Sequence, residues 1–230
     1  MRSKLCCLMI VGFFALGLTA CKSTGTGSLP SASIGKVAVV SFAVNNYGAM
    51  YGQGAINPKL IEDSMGQLLT GTEEILSKHW AVKPAGSFVG SDAYYSLSIG
   101  KTRDGLFAPV FEGRSMPTFT NERNEVVKGI LQEETARKLC QVLDVDAVVL
   151  FYSEWTLDSG KFIPTIKALT KNCVSMYNNK GEKLFYKRSD KRGEKVIGGA
   201  FAGVHINEDT IDNWIMASLD GIGEIFSSVK

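Results

Sequence analysis

The residues of this chain that could do covalent or acid–base chemistry are few: five cysteines, two histidines and some adjacent carboxylates. His79 abuts a predicted strand beside Trp80, and His205 lies in a glycine-rich stretch. A catalytic histidine needs a nucleophile and an orienting carboxylate close to it in space, which sequence neighbours do not show, and both histidines are read as structural. No G-x-S-x-G elbow and no H-E-x-x-H pair occurs. "SIGKT" (98–102) ends like a phosphate-binding loop. Position 95, where that loop needs a glycine so that backbone N–H groups can wrap the phosphates, is Tyr95. Glu73/Glu74 and Glu133/Glu134 are adjacent on predicted helices, where side chains at i and i+1 diverge. They are expected on solvated faces, not as an acid–base couple. The expectation is a non-enzymatic protein, with no catalytic residue, no metal site and no cofactor.

The cysteines say more. Cys6 and Cys7 fall in "LCCLMIVGFFALGLTA", an apolar run of about sixteen residues preceded by the basic "MRSK", the pattern of a secretory signal. A spanning helix wants about 20 apolar residues, so the run is short for a permanent anchor. Its end, Leu18-Thr19-Ala20-Cys21, resembles the bacterial lipobox. That resemblance implies cleavage before Cys21, diacylglyceryl transfer to its thiol and acylation of its new amino terminus, for instance by palmitate. Lys22 rather than Asp follows, which by resemblance to enterobacterial sorting implies the outer membrane, facing the periplasm. Several acyl chains anchor firmly, at about 0.8 kcal/mol per buried CH₂. Cys140 and Cys173 remain for the folded part, in an oxidising compartment. Two readings stay open for them: a disulfide closing a loop of about 33 residues, worth roughly 3–4 kcal/mol in the chain-entropy model, or two thiols packed in apolar surroundings.

The same leader decides the charge. The formal charge is +2, but Arg2 and Lys4 precede the apolar run. Without residues 1–20 the 25 basic residues become 23, equal to the 23 acidic ones. A neutral chain gives nucleic acid no electrostatic footing. Residues 22–35, "KSTGTGSLPSASIG", form a Gly/Ser/Thr-rich tether of at most ~50 Å reach and roughly 20 Å on average.

Residues 36–230 read as one domain. "KVAVVSFAV" (36–44) is a continuous β-branched run, predicting a strand buried on both faces. Asn57-Pro58 gives an N-cap and an N1 proline for a helix to about Lys78, with Ile61, Met65, Leu68, Leu69, Thr72, Ile75 and Leu76 as its buried stripe. "HWAVKP" (79–84) predicts a second strand. Residues 85–123 lack a period, apart from a short helix around 91–97, and are expected to be an irregular insertion. Helical spacing returns over 124–143. Strands follow over 144–155, 162–178 and 183–189, joined by "LDSGK" and the "NNKGE" hairpin turn, then a loop and a final helix capped by Asp209. The predicted class is a single α/β (α+β mixed) domain, a mixed sheet covered by helices.

Two sets of residues could meet a partner. "KLFYKRSDKRGEK" (183–195) holds six basic and two acidic residues. Lys187, Arg188, Lys191 and Arg192 could face an acidic protein surface, or anionic lipopolysaccharide or peptidoglycan. They could equally be the lysines that guard a sheet edge. Tyr94, Tyr95, Phe107 and Phe111 surround the insertion; exposed, they would mark a contact surface, and otherwise they pack the insertion onto the domain. "GGAFAG" (198–203) reads as a flexible loop that could also insert against a partner.

The lipobox, the tether, "GKVAVVSFAVNN" leading to a helix and "LCQVLDVDAVVLFYSEW" leading to a hairpin and a closing helix resemble one family group. It is the periplasmic α/β domain of the curli-secretion channel lipoprotein and of the lipoprotein activators of penicillin-binding proteins, with the Tol propeller N-terminal domain more distant. "LDVDAVVLFY" (143–152) is similar to the group's "lgvDaviiG", with Phe151 or Tyr152 where glycine is usual. The resemblance implies an outer-membrane lipoprotein that binds envelope proteins to assemble or regulate a machine, and it leaves a homo-oligomer open. A pore is not expected: membrane strands need ~9–11 alternating residues each, the turns are short, and 190–208 does not alternate. The activators' long tethers are also missing. The other reading is a periplasmic module that binds glycan or lipid through the basic hairpin.

Overall fold

The computed structural model describes residues 34–46, 56–100, 104–160, 165–199, 203–204 and 207–227. The signal, Cys21 and the tether as far as Ser33 therefore lie outside the described residues, as do His205 and residues 200–202 of "GGAFAG"; Ile34, read as tether, is buried in the core.

The chain opens with β1 (Lys36–Asn46), buried throughout its middle, and then α1 (Pro58–Ser77). The Asn57 side chain accepts from the Lys59 N–H at 2.9 Å and Pro58 follows it, as the sequence predicts. β2 is reduced to Ala81–Val82, parallel to β1. The segment expected to be irregular holds very short elements: a 3₁₀ turn (Ala85–Ser87), α2 (Asp92–Tyr95), β3 (Leu106–Phe107), β4 (Val110–Phe111), β5 (Arg114–Ser115) and α3 (Arg123–Val127). After α4 (Glu133–Leu143) come the long strands β6 (Ala147–Ser159), β7 (Thr165–Asn178) and β8 (Lys183–Gly199), then β9 (Gly203–Val204) and α5 (Glu208–Ser227).

The sheet runs β2-β1-β6-β7-β8-β9, with β3 antiparallel to the end of β1. β1 and β6 are parallel; from β6 to β9 every pairing is antiparallel. This is a mixed sheet with helices, the α/β class expected. β7 shows how the layers are built. Its alternate residues turn to opposite faces. Asn172 approaches α5 at Gly221, while Ser175 and Tyr177 hydrogen-bond the Gly129 carbonyl on the other face, at 2.8 and 3.0 Å.

α5 sits on the sheet by two indole anchors. The fully buried Trp155 donates Nε1–H to Ser218 Oγ at 3.0 Å, and the fully buried Trp214 donates to the Thr156 carbonyl at 2.9 Å. α1 packs beside α5. On the other face Tyr94 is fully buried and donates to the Val40 carbonyl at 2.5 Å, which ties the inserted segment to β1. β1 is buried on both faces because each face carries one of these layers.

Candidate interaction surface

The strand predicted to stop at Ser189 continues ten residues further, to Gly199. The charged run read as its end is strand, and its central charges meet opposite ones on the same strand, on β6 and on α5. Arg188 pairs with Asp190 at 2.7 Å, Arg192 with Asp158 at 2.7 Å, and Lys191 with Glu224 of α5 at 2.7 Å. Lys171 of β7 meets Glu154 of β6 at 2.5 Å. Asp190 beside it holds the Arg188 guanidinium above its ordinary value. Lys191, followed by the Ser189 hydroxyl, holds the Glu224 carboxyl below its own. Lys187 stands 5.8 Å over the Phe185 ring. Partly exposed pairs of this kind contribute about 0–1 kcal/mol each, so their effect is to neutralise the surface more than to stabilise it. Three of the four basic candidates are thus held by carboxylates of the same domain. The strand ends carry Glu154, Asp158, Lys171, Arg188, Asp190 and Arg192 in place of the apolar row that lipid-facing strands need.

What the sequence did not show is the other side of β8. Among the described residues, its outer edge pairs only with β9, at Gly198 and Gly199. From Lys183 to Arg192 the strand follows β7 with one register shift near Lys183, and two further shifts, between Arg192 and Val196 and between Val196 and Gly198, make a bulge. Bulges and lysines are the usual devices that blunt a strand edge. Beside the bulge a groove of about 340 Å³ separates β8 from α5, lined by Arg192, Gly193, Glu194, Lys195, Asn213 and Met216, among others. Met216, at the groove, and Val196 of β8, next in sequence to its lining residue Lys195, are 57% and 54% exposed, large apolar side chains left uncovered. Neither had a periodic signal to find it: Met216 lies off the buried stripe of α5, and Val196 follows a charged run.

The aromatic set is divided by the structure. Tyr94 is in the core, which removes it from any contact surface, and burial pushes its hydroxyl well above the ordinary tyrosine range. Tyr95, Phe107 and Phe111 are half-buried and packed against the same core. Arg114 covers the Tyr95 ring at 5.4 Å, and the Tyr95 hydroxyl donates to the Gly100 carbonyl. These rings hold the insertion to the sheet.

Cys140 and Cys173 are both free and both buried. Cys140 joins the main core under α4; Cys173 joins a small separate cluster with Ala43 and Tyr152. Burial pushes the Cys140 thiol up to about 12 and also raises that of Cys173, against a Tyr186 hydroxyl donated to its sulfur at 3.2 Å. Neutral, covered thiols are poor nucleophiles. His79 rests against Trp80, with ring centroids 5.5 Å apart. Glu73 departs from the expected solvated role. It is half-buried, accepts from the Ala85 N–H at 2.7 Å, and burial raises its carboxyl despite that bond. Among the described residues no helix is long and apolar enough to cross a membrane.

No protein-family model matches the chain, and no curated protein matches it. Solved structures similar to it include lipoprotein GNA1162 from Neisseria meningitidis, 12% identical over 81% of this chain and 96% of that one, with a TM-score of 0.40. The hypothetical protein CT253 from Chlamydia trachomatis is 8% identical over 82% and 98%, with a TM-score of 0.37. A neuraminyllactose-binding hemagglutinin homolog from Helicobacter pylori is 9% identical over 88% and 87%, with a TM-score of 0.32.

Proposed function

We propose that this chain is a bacterial outer-membrane lipoprotein, anchored through Cys21, that acts by binding rather than catalysis. Its α/β domain holds an extended, acidic segment of another envelope protein along β8. The observation that carries the reading is the open edge of β8 beside the α5 groove. An extended segment added there would hydrogen-bond to the strand backbone and set side chains against Met216 and Val196. After its internal ion pairs, the edge keeps a basic excess at Lys183 and Lys195, which suits an acidic segment. The anchor rests on Leu18-Thr19-Ala20-Cys21 and the short tether, which keep the domain near its membrane. Kinship with the curli-secretion and penicillin-binding-protein activator lipoproteins belongs to the same reading, supported by "LDVDAVVLFY" and the order of elements.

Two variants test its two halves. Cys21→Ala should move the protein from the membrane fraction to the soluble fraction. Lys183→Glu with Lys195→Glu should keep the wild-type circular dichroism spectrum and melting point while weakening partner retention about tenfold at low salt. Unchanged retention of envelope proteins by the double variant would overturn the edge assignment.

A further inference from the structure

The groove between β8 and α5 has a chemistry of its own, apart from the strand edge beside it. Its α5 wall carries Asp212, Met216 and Asp220, each about one helical turn from the next. The two carboxylates are spaced about 12 Å along the helix axis, with the exposed Met216 between them. Glu194 adds a third carboxylate from β8, and none of the three enters an ion pair among the described residues. Two cations also line the groove. Arg192 is held by Asp158 at 2.7 Å, which leaves only Lys195 to offset three carboxylates.

Asn213 lies between the walls and is 8% exposed. Its Nδ2 donates to the Thr210 carbonyl at 2.8 Å, while among the described residues nothing donates to its Oδ1. A buried amide oxygen without a donor calls for one. Gly193 at the bulge lets β8 close on this side chain: a Cβ there would stand 3.3 Å from the Asn213 Cβ and carbonyl oxygen. The groove thus presents acceptors around one apolar side chain, which asks for N–H donors borne on an apolar chain. The carboxylates stand apart rather than converging. Among the described residues no group of three His, Cys, Asp or Glu could hold one metal ion, so the cation that fits is extended. The volume of about 340 Å³ is of small-molecule size. A basic peptide would meet Lys183 and Lys195 along the same strand, which disfavours it.

We infer that this groove binds a linear aliphatic polyamine with three ammonium groups, of the spermidine class. Its terminal ammoniums would meet Asp212 and Asp220, its middle one the Asn213 Oδ1, and its methylenes would lie over Met216. Glu194 adds negative charge from the β8 wall. The assignment rests neither on strand addition at β8 nor on the membrane anchor.

Calorimetric titration of the full-length, detergent-solubilised chain at low salt tests it, with spermidine, putrescine, magnesium ion and the peptide trilysine. Spermidine should bind saturably. Putrescine, magnesium and trilysine should each bind about tenfold more weakly or less. Asp212→Asn with Asp220→Asn should weaken spermidine binding at least about tenfold at an unchanged melting point, since neither carboxylate has an internal partner to lose. Glu62→Gln with Glu74→Gln, on the exposed face of α1, should leave it unchanged. No saturable spermidine binding, binding unaltered in the Asp212/Asp220 variant, or an equal loss in the Glu62/Glu74 variant would each overturn the assignment. Magnesium or trilysine binding as tightly as spermidine would overturn it as well.

Discussion

At the scale of single residues, buried polar groups with one partner each carry consequences larger than their number. Trp155 Nε1–H has Ser218 Oγ as its acceptor, deep between β6 and α5. Ser218→Ala would leave that donor buried and unmatched, at a cost of about 1–3 kcal/mol, read as a lower denaturant midpoint with an unchanged slope. Cys140 gives a pH signature. Its folded-state thiol stands near 12 against an ordinary 9.0. Its contribution to stability is therefore whole below pH 9 and is lost as pH rises from there toward 12, because only the unfolded chain has released the proton. Cys140→Ala should flatten the fall of stability across that window, measured by urea titration at pH 8, 9 and 10. A wild-type curve as flat as the variant's would contradict the burial of this thiol.

At the scale of elements, α5 is fitted to the sheet at a single close approach. Gly221 has no side chain because Asn172 of β7 stands there; a Cβ would come within 2.3 Å of its Nδ2. Asn172 cannot step aside, since it accepts from Ser153 and donates to Thr170 and to the Ser189 carbonyl. Gly221→Ala should cost about 1–3 kcal/mol by overpacking. Two residues on, Gly223 has open space around its α-carbon, and Gly223→Ala should stabilise the helix by about 0.5–1 kcal/mol. Thermal melts of the two variants should move in opposite directions. The elements legible in the sequence are those with length and period: the Asn57-Pro58 start of α1, its apolar stripe, and the β-branched cores of β1 and β6. Two things were hidden. Residues 85–123 had no period because their helices and strands span two to five residues each, held by tertiary contacts such as Tyr94 to Val40. The second half of β8 read as loop because charges in sequence look solvated, whereas Arg188, Lys191 and Arg192 find their carboxylates on the same strand, on α5 and on β6.

At the scale of the whole molecule, the two faces of the sheet are spoken for, by α1 and α5 on one side and by the insertion with α4 on the other. Among the described residues the outer edge of β8 and the groove between it and α5 stay open. On the proposed reading, a domain so arranged, held near its membrane through Cys21, would meet partners sideways through β8. The direct measurement is photo-crosslinking in living cells, with a photoreactive residue placed in turn at Lys183, at Lys195 and, as a control, at the exposed Gln67 of α1. The account predicts one discrete adduct from Lys183 and Lys195, joined to an acidic, extended segment of another envelope protein, and none from Gln67. Adducts no stronger at the β8 edge than at Gln67, or adducts only with a second copy of this chain, would contradict it.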